Sequence, residues 1–101
     1  MKKLENLKNA YRKMENLRLL PAEFTGIGEV NGFQFKRIIE NPKYYVYQVT
    51  DEGKRHFELI KRVINKKYNK EYYPKSKEFG IKAWTARTLE RINQLIKEKF
   101  E

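Results

Sequence analysis

With 101 residues, 40% of them hydrophobic and 14% aromatic, the chain has material for one domain built round a single core. Lys and Arg number 23 against 13 Asp and Glu, a formal net charge of +10 that favours polyanionic partners by Coulomb attraction without naming one. Cysteine is absent, which excludes disulfides, Cys-ligated metal and a thiol nucleophile, and no apolar run approaches the ~20 residues of a membrane span. The chain therefore reads as soluble and cytoplasmic, with no membrane partner and no cofactor.

Residues 3–18 place Leu4, Leu7, Tyr11, Met14 and Leu17 on one face of an amphipathic helix, which Pro21 ends. Residues 22–32 contain Gly26, Gly28 and Gly32 and no helical period, so they read as a loop or irregular strand. Gly26-Ile27-Gly28 is not a dinucleotide fingerprint, because the third glycine is wrongly spaced and no βαβ unit surrounds it.

Alternation over Phe33–Glu40, the turn dipeptide Asn41-Pro42, and the aromatic and β-branched run Tyr44–Thr50 predict a β-hairpin. Tyr45, Tyr47 and Val49 share one face and Tyr44, Val46 and Gln48 the other, so one face is expected to pack on helices and the other to form a partly exposed tyrosine surface. An uncovered patch on this hairpin, especially at Tyr44, Tyr45 and Tyr47, is where self-association or a partner is expected. Residues 55–64 fit two readings. As a strand, Phe57, Leu59 and Val63 alternate with His56, Glu58 and Ile60 behind an Asp51-Glu52-Gly53-Lys54 turn. As a helix, Phe57, Ile60 and Ile64 keep a 3-4 spacing, and Tyr47–Gly53 then resembles the wing-to-helix junction of winged-helix regulators. Only about twenty residues separate Pro21 from Tyr44, too few for the helix-turn-helix pair such a protein needs, so the strand is preferred.

Residues 65–82 form a basic, tyrosine-bearing connection with a short helix expected at Ser76–Phe79, and Ile81–Thr85 reads as a further short strand. Leu89, Ile92, Leu95, Ile96 and Phe100 make the stripe of a final helix, with Thr85 or Thr88 as N-cap and Glu90 in its first turn. The fold class expected is α+β: an antiparallel sheet of three to four strands flanked by N- and C-terminal helices, in the order α-β-β-β-(β)-α, as a single domain over residues 1–101.

The charge is unevenly placed. Residues 1–20 hold six basic and two acidic side chains (+4), residues 21–53 three and five (−2), residues 54–82 ten and three (+7), and residues 83–101 four and three (+1). Lys54, Arg55, Lys61, Arg62, Lys66, Lys67, Lys70, Lys75, Lys77 and Lys82 are interleaved with Tyr68, Tyr72 and Tyr73, a combination suited to phosphate neutralisation and base stacking. The leading expectation is thus a non-catalytic domain that binds DNA or RNA through these residues, helped by the first helix.

The element order is similar to the double-stranded RNA-binding fold, but the last helix begins with Thr85-Ala86-Arg87-Thr88 in place of that fold's lysine cluster. The chain has neither an RNP signature nor a Gly-x-x-Gly clamp. An alternative is a protein-interaction or structural module, joining a partner or a second copy through the aromatic hairpin. Its lysines are then incidental, since frequent Lys, Asn and Ile with scarce Ala is what an AT-rich genome produces. A lone tryptophan before a helix, Trp84, reads as a docking residue rather than a stacking platform.

Catalysis has few carriers, with one His, one Ser and one Asp in the chain. Ser76 lacks a nucleophile-elbow context, and Glu52-Gly53-Lys54 reads as a turn rather than a nuclease metal site. His56 among Lys54, Arg55, Lys61 and Arg62 has the residue types of metal-independent RNA cleavage. In size, charge and fold class the chain resembles small mRNA-cleaving toxins, so a ribonuclease stands as the second alternative.

Overall fold

The structure is a computed structural model that describes residues 17–101. The helix expected over residues 3–18 lies outside the described residues except for its last two positions. The chain divides into two compact units: Pro21–Arg62 with Tyr73–Glu101, and the segment ending at Leu20 with Val63–Tyr72.

The first unit is mixed α+β, a five-stranded antiparallel sheet with one C-terminal helix. Its strands are β1 (Glu23–Thr25), β2 (Gln34–Glu40), β3 (Tyr44–Asp51), β4 (Lys54–Lys61) and β7 (Ala83–Ala86), in the spatial order β1-β2-β3-β4-β7. Strands β5 (Ile64–Asn65) and β6 (Lys70–Glu71) pair with each other in the second unit. The sheet thus has five strands rather than three to four. The extra one is β1, whose three residues are hidden in the sequence by the glycines that follow. Phe24 fixes it by stacking on Phe35 with ring centroids 4.5 Å apart and planes 5° from parallel.

The ambiguous stretch is a strand. Glu52 and Gly53 have φ of 49° and 81°, so the turn has two left-handed central residues, which matches the twist of β3 and β4 and fixes the register Asp51↔Lys54 through Tyr44↔Lys61. Phe57, Glu58, Leu59 and Ile60 are all buried, a run covered on both faces, and so read equally well as part of a helix.

On one face Val46, Phe57, Leu59 and Ala86 pack against Ile92, Leu95 and Ile96 of α1 (Leu89–Phe100). Thr88 caps α1 by accepting from the Arg91 amide at 3.2 Å, and Glu90 lies in its first turn. The opposite face carries Phe35, Tyr45, Tyr47, Val49, Glu58 and Ile60. A bulge in β2 between Arg37 and Ile39 pushes Ile38 outward and lets Arg37 face with Tyr47 while Ile39 joins the helix side. Tyr45 and Tyr47 are completely buried, so the face they share is not the partly exposed tyrosine surface expected of the hairpin, while Tyr44, on the helix side, is half-buried.

In the second unit, Arg18 bridges to Lys70, and its carbonyl accepts from the Glu71 amide at 2.8 Å. Glu71 is buried, with its carboxylate accepting from the Leu20 amide at 2.9 Å.

Candidate nucleic-acid interface

At one end of the sheet four elements converge on a groove of about 870 Å³. The β2–β3 turn brings Lys43, positioned by an Asx turn in which the Asn41 side chain accepts from the Lys43 amide at 2.9 Å. The end of β4 brings Lys61, and Arg62 directly follows it. Trp84 comes from β7, and the last turn of α1 brings Lys99 and Phe100. Ile81 stands on the rim, 69% exposed.

The cations are of two kinds. Arg62 is anchored: it donates to the Asn41 carbonyl at 3.1 Å, and its guanidinium carbon lies 4.5 Å from the Tyr45 ring centroid, as does that of Arg37. Among the described residues Lys43, Lys61 and Lys99 are in no ion pair, and only Glu101 adds an acidic side chain to the wall. The C-terminus of α1 contributes roughly half a negative charge. Four full positive charges outweigh that and Glu101 together, so the groove is electropositive.

The ten basic residues expected to act together are distributed otherwise. Lys54 and Arg55 begin β4 and Lys61 ends it, about 24 Å from Lys54 at ~3.4 Å per residue. Lys82 pairs with Glu78 at 2.8 Å. Lys75 and Lys77 border a different groove, of about 630 Å³, with an apolar wall that includes Ile27, Val30, Tyr73 and Phe79. Lys66, Lys67, Tyr68, Lys70 and Tyr72 belong to the second unit. There the Asn65 side chain accepts from the amides of Lys67 and Tyr68, turning the chain so that Lys66, Lys67 and Tyr68 are exposed at a hairpin tip. Lys67 Nζ lies 5.3 Å from the Tyr68 ring centroid.

His56, the candidate for catalysis, meets Glu58 through its Nε2 at 2.9 Å, and Tyr73 donates to the other oxygen of Glu58 at 2.5 Å. Burial, then the Glu58 charge, then this hydrogen bond hold the Tyr73 phenol far above its ordinary pKa. With Nε2–H donating to Glu58, the imidazole would keep Nδ1 as an acceptor, the arrangement of a carboxylate-oriented base. It equally satisfies a carboxylate buried in a strand, and His56 is not part of the wall of the groove that Tyr73 borders. Among the described residues no three His, Asp or Glu side chains gather as a metal site, and no helix is long and apolar enough to cross a membrane.

Lys43 and Lys99 were not marked by the sequence. Lys43 sits in the acidic middle of the chain and Lys99 in an ordinary amphipathic helix, and only the antiparallel topology joins them. Compared with known proteins, the chain matches no family model, no curated protein and no solved structure.

Proposed function

We propose that the protein binds nucleic acid through the phosphate backbone, with Lys43, Lys61 and Lys99 as the mobile contacts and Arg62 as a fixed one. The observation that carries this reading is the convergence of these four cations on one groove with an aromatic wall, where phosphate neutralisation and ring contact are available together. The exposed Lys66-Lys67-Tyr68 tip has the same pairing of charge and ring on a smaller scale, and supplies a separate contact of the same kind.

The test is a titration of labelled RNA and DNA oligonucleotides over a range of salt. The four phosphate contacts of this groove on a single strand give a slope of log affinity against log salt of about −3, at about −0.7 each. Lys43→Ala, Lys61→Ala and Lys99→Ala are each expected to make that slope shallower by about 0.7. Absence of binding at ~50 mM salt, or a slope unmoved by all three variants, overturns the assignment.

A further inference from the structure

We infer that the groove selects single strands over duplexes by laying one unstacked base against the Trp84 indole. This rests on the phosphate-binding reading and adds to it a choice between nucleic-acid forms.

Trp84 is half-buried and braced on one side. Its backbone is in register with Leu59 of β4, and Phe100 meets it edge-on with ring centroids 5.8 Å apart and planes at 88°. What stands over the indole within the groove is Lys99, with Nζ 5.7 Å from the ring centroid. A lysine on a four-carbon stem is a displaceable occupant, unlike a packed apolar side chain. When Lys99 swings to a phosphate, the place it leaves is bounded by an indole already held in one orientation, with the Ile81 aliphatic chain on the rim.

A base arriving there loses no stacking partner if it comes from a single strand. A duplex keeps its bases stacked and paired inside, and presents phosphates and groove edges to a recessed ring. The duplex therefore gains the lysine contacts alone, and the single strand gains those contacts plus a stack. One base–aromatic stack corresponds to roughly five- to 150-fold in affinity.

Trp84 is the only tryptophan in the chain, so its fluorescence reports on this groove without interference. Oligouridylate and oligothymidylate are titrated against a mixed-sequence duplex at matched phosphate concentration and salt, following both labelled-strand anisotropy and indole emission. The expected result is tighter binding of the single strands by at least fivefold, with saturable quenching that the duplex does not produce. Trp84→Phe weakens the single strands only, and leaves the salt slope set by the lysines unchanged. Equal affinity for both forms, or binding of single strands without any change in Trp84 emission, overturns the selection while the phosphate-binding reading stands. Absence of binding to either form overturns the phosphate-binding reading itself. Since Trp84 also packs on α1, the wild-type emission decides the matter should the variant fail to fold.

Discussion

Tyr73 donates its phenolic hydrogen to Glu58 at 2.5 Å, on the face of the sheet opposite α1. Glu58 is 3% exposed, and its two oxygens are taken up by Tyr73 and His56. A carboxylate in that position is tolerated only because both partners are in place, and removing one leaves an acceptor buried without its hydrogen bond, at a cost of about 1–3 kcal/mol. Tyr73→Phe keeps the ring against Phe35 at a centroid distance of 5.2 Å and deletes only the donor. Urea unfolding at neutral pH is expected to show a loss in that range, and a loss below a few tenths of a kcal/mol would mean that Glu58 finds another donor.

The same pair gives the fold a defined alkaline limit. A raised phenol pKa means that the folded state keeps its proton where the unfolded chain, at its ordinary value of 10.0, releases it. Stability contributed by Tyr73 is therefore intact below pH 10.0 and declines as pH rises beyond it. Wild type and Tyr73→Phe are expected to run parallel in unfolding free energy below pH 10.0 and to converge above it. Parallel curves throughout would show that Tyr73 titrates normally.

The turn between β3 and β4 offers a gain rather than a loss. Glu52 holds φ of 49° before Gly53 at 81°, and a left-handed backbone costs an ordinary L-residue roughly 1–2 kcal/mol. Asparagine tolerates that region better and is the preferred partner of glycine in such two-residue turns. Glu52→Asn should raise stability by about 0.5 kcal/mol, a few degrees in Tm for a chain of this size. Gly26→Ala is expected to do the reverse, because its added methyl would collide with the Val30 carbonyl oxygen. Thermal unfolding of the two variants should move in opposite directions.

The parts of the fold legible in the sequence are those with local causes. The β3–β4 hairpin is announced by its tyrosine and valine run and by Asp51-Glu52-Gly53-Lys54, and α1 by its stripe and Thr88. The bulge at Ile38, which decides that Arg37 rather than a neighbour meets Tyr45, depends on pairing with β3 and has no local signature. Glu58 does carry a local signal, because an acid between Phe57 and Leu59 on an apolar strand needs buried donors. The basic groove was half legible. Lys61 and Arg62 lie in the charged stretch, but Lys43 and Lys99 reach the groove through topology, and the charge profile along the chain dilutes them among lysines at the other end of β4 and in the other unit.

Arg62 separates folding from binding within the groove. Its contacts with the Asn41 carbonyl and the Tyr45 ring give it a structural part that Lys61 lacks. Arg62→Lys keeps the charge but loses the planar group that sits over the ring. The expected outcome is a stability loss of about 1 kcal/mol with the salt slope of nucleic-acid binding nearly unchanged. Lys61→Ala should show the opposite pattern, a shallower slope and wild-type stability. Identical behaviour of the two variants would contradict the division between anchored and mobile cations.

The hairpin of the second unit depends on one buried carboxylate. Glu71, 1% exposed, accepts from the Leu20 amide at 2.9 Å, and its own amide donates to the Arg18 carbonyl at 2.8 Å. Arg18 in turn donates from its amide to the Asn69 carbonyl at 3.0 Å and from its guanidinium to the Tyr68 carbonyl at 3.3 Å, so the segment ending at Leu20 is tied to both β6 and the tip. Glu71→Gln keeps an acceptor and should be mild, whereas Glu71→Ala removes the carboxylate that accepts from the Leu20 amide and is expected to cost about 1–3 kcal/mol locally. Amide hydrogen exchange reads this directly. In Glu71→Ala the amides of Arg18 and Leu20 should lose protection first, while those of β3 and β4 keep theirs. Uniform loss across both units would instead show that they unfold as one.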